Sequence, residues 1–279
     1  MKITCSINGR PLPQKKALIS VFDNSLFYAD GLFETLLAVG DRPIFLDDHL
    51  VRLRRGAELI RLRLPYSLKS IKGWIKETVT RNRARVKKVR VTVTAGNSAF
   101  WAGKGTEPRI IIIATEFSPP TEPFRLKISP YRVDNDSPFR NVKTLAFIIE
   151  MTSRRGAYMD GFDDAILLNR SGNIAEATSA NIFWVKNGRL YTPPLTAGCL
   201  DGMSRKHIIS LARKHKIPAF EKNINLNNLL KADEIFITSS LKLILPVTKI
   251  QSRRMYRFPI GALTTRLQIL FRELIFNGR

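Results

Sequence analysis

The chain has 279 residues, 44% of them hydrophobic, and its 46 Lys and Arg against 23 Asp and Glu give a net charge of +23. That length can bury a sizeable core divided between two lobes, and the composition excludes fibrous and disordered classes. Apolar runs such as 110–114 are too short to span a bilayer. Two cysteines make no disulfide framework and point to a reducing compartment such as the cytoplasm, and three histidines without ligand spacing give no metal site.

The opening Met1-Lys2-Ile3-Thr4-Cys5 reads as a strand and carries no signal-peptide apolar stretch. Short apolar runs separated by turn residues over 2–46 predict strands and hairpins, with a turn at Gly40-Asp41. From Asp47 the period becomes helical: Leu50, Leu53, Ala57 and Ile60 share a face, and Asp47 or Asp48 is expected to cap. A second helix is expected over 68–81, with Leu68, Ile71, Ile75 and Val79 inward, and strands over 89–94 and 109–115. Three prolines within 116–123 break any regular element, so the chain is divided into a domain 1–118, a linker 119–124 and a domain 125–279. In the second domain, helices are expected over 144–160, ending at Gly161, over 204–215 and over 260–276. Lys186-Asn187-Gly188-Arg189 is a hairpin turn.

The basic residues cluster at 52–63, 81–90, 213–216 and 253–257. Scattered in this way and without a nucleic-acid motif, they read as a solvated surface, and nucleic-acid binding is not expected.

Two residues carry chemistry. Lys143 stands in an otherwise uncharged run over 141–149. Glu176 lies 33 residues further on, framed by Ala175, Ala177, Ser179 and Ala180. A lysine and a carboxylate so placed suit pyridoxal phosphate: the amine holds the aldehyde as a Schiff base, and the carboxylate keeps the ring nitrogen protonated. Gly202-Met203-Ser204 leads into a helix, whose N-terminus presents backbone donors to an anion. Ser204 also reads as an N-cap.

At these residues the chain resembles the class IV, fold-type IV pyridoxal-phosphate enzymes: branched-chain aminotransferases, D-amino-acid aminotransferases and aminodeoxychorismate lyases. The resemblance runs through Tyr28-Ala29-Asp30-Gly31-Leu32-Phe33-Glu34-Thr35, His49-Leu50-Val51-Arg52-Leu53, Lys143, the Glu176 segment, Gly202-Met203-Ser204-Arg205 and Asp233-Glu234-Ile235-Phe236. It implies a two-domain α/β (α+β) fold, with a small N-terminal α/β domain, a larger barrel-like C-terminal domain, the cofactor between them, and a homodimer. Lys143 would be the catalytic lysine and Glu176 the partner of the ring nitrogen. Arg52, Met203, Ser204, Ser239 and Ser240 would bind the phosphate. Asp30, Phe33, Glu34 and Thr35 would lie on the strand facing the substrate, with Phe33 and Thr35 in its pocket, and His49 would be structural.

The implied reaction moves an amino group between an amino acid and a 2-oxo acid. The alternative is an aminodeoxychorismate lyase forming 4-aminobenzoate and pyruvate. A second alternative, motivated by the charge, is a non-catalytic nucleic-acid-binding protein on this fold. The pattern also departs from its relatives. Ile148 stands where branched-chain enzymes usually have tyrosine, and Ala146 where the other branches have asparagine. The segment from Ala95 to Trp101 lacks the arginine that reads a substrate carboxylate; Lys104 or a partner arginine is the expected substitute.

Overall fold

The computed structural model describes residues 2–97 and 106–278. It divides into two compact units, Met1–Ser118 with Val142–Ala146, and Pro119–Asn141 with Phe147–Arg279. The expected division assigned 125–279 to one domain, but Val142–Ala146 packs with the first unit.

The first unit comprises β1 (Ile3–Ile7), β2 (Arg10–Leu12), α1 (Asn24–Tyr28), β3 (Gly31–Val39), β4 (Arg42–Pro43), α2 (Leu46–Leu59), α3 (Leu68–Arg81), β5 (Val86–Thr94) and β6 (Arg109–Glu116). Its strands form one sheet in the order β2-β1-β6-β5-β3-β4. Alternation along β5 and β6 sends Val89, Val91, Val93, Ile110, Ile112 and Ala114 to one face. There they meet Leu50, Leu53 and Ala57 of α2 and Ile71, Ile75 and Val79 of α3. Each Val, Leu or Ile among them contributes roughly 1.5–3 kcal/mol by leaving water.

Helix α3 has the expected bounds, capped by Ser67, whose Oγ accepts from Ser70 N–H at 3.1 Å. Helix α2 departs from expectation. Its N-cap is Phe45 in the left-handed region (φ 53°), with no side-chain cap. Asp47 and Asp48 instead lie inside the first turn, where they favour the helix dipole.

The second unit comprises β7 (Phe124–Val133), α4 (Ile148–Met159), β8 (Asp164–Asn169), β9 (Ile174–Ala177), β10 (Asn181–Lys186), β11 (Arg189–Thr192), α5 (Met203–Lys214), β12 (Ala219–Glu221), α6 (Leu226–Leu229), β13 (Glu234–Ser239), β14 (Leu243–Gln251), β15 (Met255–Arg257) and α7 (Ala262–Asn277). The sheet runs β12-β11-β10-β13-β14-β7-β8-β9, with β15 on β14. A bridge between Ala177 and Ala180 returns β9 to β10, so the sheet curls back on itself. Leu126, Ile166, Ile174, Ile182, Ile235 and Val247, from six strands, fill the interior. Asn187 and Gly188 both have positive φ (51° and 69°), which gives the β10–β11 hairpin a turn matched to strand twist.

Helix α4 starts at Ile148, and the expected start at 144 is wrong. Residues 143–145 are held in extended pairing with β3: Phe33 N–H donates to Lys143 C=O at 2.9 Å, and Leu145 N–H to Gly31 C=O at 3.0 Å. Gly161 (φ 78°) follows the end of α4 as expected. The start of α5 is also corrected: its N-cap is Gly202, and Ser204 lies within the first turn.

Candidate active site

In the first unit, β3 has two differently occupied faces. Glu34 points with Leu32 and Leu36 towards the helices. Phe33 and Thr35 lie on the opposite face, paired in register with Thr92 and Arg90. Asp30, expected on this strand, precedes its first residue.

Lys143 Nζ sits 4.3 Å from the Phe33 ring centroid, and the Arg90 guanidinium carbon sits 4.0 Å from it. An electron-rich ring face attracts both cations. Arg90, which sequence reasoning passed over, also donates from Nε to Thr92 Oγ1 at 3.2 Å; burial holds its pKa below the ordinary value. The one available signal was its β5 position opposite Thr35.

On the helix side, Arg52 donates from Nε to Glu34 Oε1 (2.8 Å) and from Nη2 to Oε2 (2.6 Å), and His49 Nδ1 lies 2.7 Å from Oε2. Burial alone would raise the Glu34 carboxyl, but Arg52 and His49 outweigh it and bring its pKa down to about 2. Burial pushes the His49 pKa below its usual value despite the pull of Glu34. Glu34 was expected on the substrate strand; its position as anchor of Arg52 was not foreseen.

In the second unit, Glu176 on β9 is buried. Its Oε1 accepts from Arg140 Nη2 at 2.9 Å and its Oε2 from Leu200 N–H at 3.1 Å. Arg140 also donates to Glu150 on α4 (2.7 Å) and to Gly198 C=O (3.0 Å). Neither Arg140 nor Glu150 stood out in the sequence, because their link to Glu176 exists only once 140, 150 and 176 fold together. Next to them, Cys199 is buried, and burial first, then the Glu176 charge, raises its thiol pKa to about 12.

Met203 and Ser204 form the first turn of α5, both buried, behind an N-cap with no capping side chain. A Cβ at Gly202 would meet Asn181 Oδ1, so the Asn181 amide would have to shift. Asn181 in turn donates to Leu200 C=O at 2.8 Å. Ser239 ends β13 and Ser240 opens the turn to β14; Ser239 Oγ accepts from Lys242 N–H at 3.2 Å. Lys104 lies outside the described residues.

The structure therefore brings Lys143, Phe33 and Arg90 together in one unit, and the Lys143 charge also acts on His49, which sits beside Glu34 and Arg52. In the second unit it gathers Glu176 with Arg140 and the turn before α5. The family model for amino-transferase class IV matches residues 31–250. The chain belongs to this family. It is a class IV aminotransferase, an enzyme that moves an amino group between an amino acid and a 2-oxo acid.

This class IV aminotransferase is 30% identical to the aminodeoxychorismate lyase of Bacillus subtilis, over 97% of this chain and 94% of that one. It superposes with a TM-score of 0.92 on the branched-chain aminotransferase of Thermoproteus uzoniensis, crystallised with norvaline. Those two are 28% identical, covering 99% and 95% of the chains. A second structure, the T.th. branched-chain amino acid aminotransferase complexed with N-(5'-phosphopyridoxyl)-L-glutamate, is 25% identical with a TM-score of 0.90. It covers 99% of this chain and 95% of that one. These neighbours are fold-type IV enzymes, and the two curled sheets of this aminotransferase are that fold. Class IV aminotransferases use pyridoxal phosphate.

Proposed function

We propose that this chain binds pyridoxal phosphate through Lys143 and uses it for transamination. The observation that carries the reading is the pinning of Lys143: main-chain bonds to β3 at its own carbonyl and at Leu145 N–H, with its amine on the Phe33 ring. Each unit holds groups that suit the cofactor. There is a primary amine for the aldehyde, a buried carboxylate with both oxygens anchored for the ring nitrogen, and an uncapped helix start at Met203 and Ser204 for a phosphate. Arg52, Ser239 and Ser240 are assigned to the phosphate with them, on the strength of the family motif.

When bound, pyridoxal phosphate supplies an electron-accepting ring that stabilises the charge left by the departing α-proton. Lys143 Nζ takes that proton and returns it. Glu176 would accept a hydrogen bond from the protonated ring nitrogen, and Leu200 N–H and Arg140 keep its carboxylate from turning. Phe33 and Thr35 shape the substrate side. Arg90 supplies a guanidinium for a substrate carboxylate, a role the segment after β5 leaves vacant in sequence.

The chain is further proposed to act as a cytoplasmic homodimer. Two free, buried cysteines support a reducing compartment. Leu18, Val21, Phe22, Leu26, Phe27 and Tyr28 form an exposed apolar stretch that a second copy would cover, and sedimentation analysis tests this. No described helix is long and apolar enough to cross a membrane.

The test is the visible absorption spectrum of wild type and Lys143→Ala with pyridoxal phosphate, followed by L- and D-amino acids. The wild type should show the band of lysine-bound cofactor and convert it to the amine form with particular donors. A protein without this band at saturating cofactor sinks the proposal. Pyruvate released from aminodeoxychorismate without an added oxo acid would favour the lyase instead.

A further inference from the structure

One arginine in the second unit serves two buried carboxylates, and neither the motif reading nor the reaction chemistry accounts for it. Arg140 lies in the short turn Pro138–Asn141, with a side chain 16% exposed. Its three nitrogens are all occupied: Nε by Gly198 C=O, Nη1 by Glu150 Oε1 and Nη2 by Glu176 Oε1. Glu150 is a buried acid in the first turn of α4, 6% exposed, where a buried charge is costly unless paired.

We propose that Arg140 and Glu150 form a positioning pair that sets how strongly Glu176 draws on the proton of the pyridine nitrogen. The inference rests on the assignment of Glu176 to that nitrogen. A guanidinium bound to a carboxylate lowers its proton affinity. Left alone, Arg140 would weaken Glu176 as a partner for the ring. Glu150, bound to the same guanidinium, takes up part of the positive charge and restores that pull. The trio carries two negative charges and one positive, so a single guanidinium is shared between the two carboxylates and neither is fully neutralised. Geometry serves the same end. With Arg140 on Oε1 and Leu200 N–H on Oε2, the carboxylate cannot rotate.

The test uses holoenzyme loaded with pyridoxal phosphate labelled with nitrogen-15 in the ring, whose chemical shift reports protonation directly. Glu150→Gln keeps the size and an acceptor oxygen but removes the charge. It should move the resonance towards neutral pyridine and lower kcat about tenfold, the equivalent of one pKa unit, with KM little changed. Removing both charges in Arg140→Gln with Glu150→Gln should bring the resonance back towards wild type. If Glu150→Gln fails to fold, Glu150→Asp, one methylene shorter, should shift it in the same direction by less.

A resonance that stays at the wild-type position in the Glu150 variants, while only the melting temperature falls, overturns the proposal and leaves Arg140 a structural tie. A shift in the opposite direction overturns it too. Glu176→Gln separates the underlying assignment: it must abolish the protonated signature. If it does not, Glu176 is not the ring partner, whatever the Glu150 variants show.

Discussion

Phe33 and Lys143 are joined twice, by a main-chain hydrogen bond of 2.9 Å from Phe33 N–H to the lysine carbonyl and by contact of the lysine amine with the phenyl ring. The first contact fixes where the Lys143 backbone lies, and the second fixes where its amine points. A lysine held in this way loses little conformational freedom when it engages a ligand.

Replacing the ring while keeping its bulk isolates the second contact. Phe33→Leu should lower kcat several-fold, in line with about 1 kcal/mol for a cation on an aromatic face. The melting temperature should stay within a few degrees, because the backbone bond remains. Steady-state kinetics beside a thermal melt check this, and an unchanged kcat would remove the ring from catalysis.

Glu34 predicts acid sensitivity. Its folded pKa lies near 2, below the ordinary 4.5, so the stability it contributes is complete above 4.5 and is lost as pH falls from 4.5 towards 2. A shift of that size is worth on the order of 3 kcal/mol. His49, held neutral by burial, adds a loss that begins earlier, below its ordinary 6.5. Melting curves of wild type and Glu34→Gln should therefore differ most near neutral pH and converge as pH is lowered through 4.5 to 2. A gap that stays constant with pH would contradict the linkage.

Gly202→Ala should weaken cofactor binding. The added methyl displaces Asn181, which holds the Leu200 carbonyl, and the Leu200 N–H holds Glu176. Loss of one such charge-assisted bond costs about 1.5–3 kcal/mol, roughly a tenfold to hundredfold rise in cofactor Kd. Fluorescence titration of apoprotein with pyridoxal phosphate measures it, and an unchanged Kd would mean that this chain of contacts does not reach the site.

Lys242 and Asp164 give a test of a buried ion pair in the second unit. The lysine side chain is 10% exposed and the aspartate 0%. The amine lies 3.6 Å from the carboxylate and donates to Ser179 Oγ at 2.6 Å. Burial lowers the Lys242 pKa while Asp164 pulls it back up. Asp164→Asn leaves the cation without its counter-charge and should cost about 3–5 kcal/mol. Adding Lys242→Met should recover part of that loss, and urea unfolding of the double-mutant cycle decides it.

Much of this architecture is legible in the sequence because it is periodic. The spacing of Ile71, Ile75 and Val79 gives α3 its bounds, and Asn187-Gly188 declares its turn by backbone chemistry alone. Thr144 to Ile149 misled for a physical reason. An uncharged run with no turn residue reads as a helix, yet its first residues complete the edge of β3, a partner more than a hundred positions away. In the same way Arg52 stands out only by motif, and nothing local links it to Glu34. The Arg140, Glu150 and Glu176 cluster has no sequence period at all, because two carboxylates and a guanidinium meet through loops of unrelated length.

The five residues Val142–Ala146 belong to the first unit while the chain on both sides of them belongs to the second, so the backbone passes from one unit to the other three times. No single cut separates the two halves. A fragment ending at 118 would expose the Phe33 N–H and the Gly31 carbonyl and would lack Lys143. On the ribosome, the first unit cannot close until 146 residues have emerged, by which time β7 of the second is already outside. The segment that carries Lys143 is thus also the last piece delivered to its own half of the molecule, and completion of the first unit is tied to synthesis of the second.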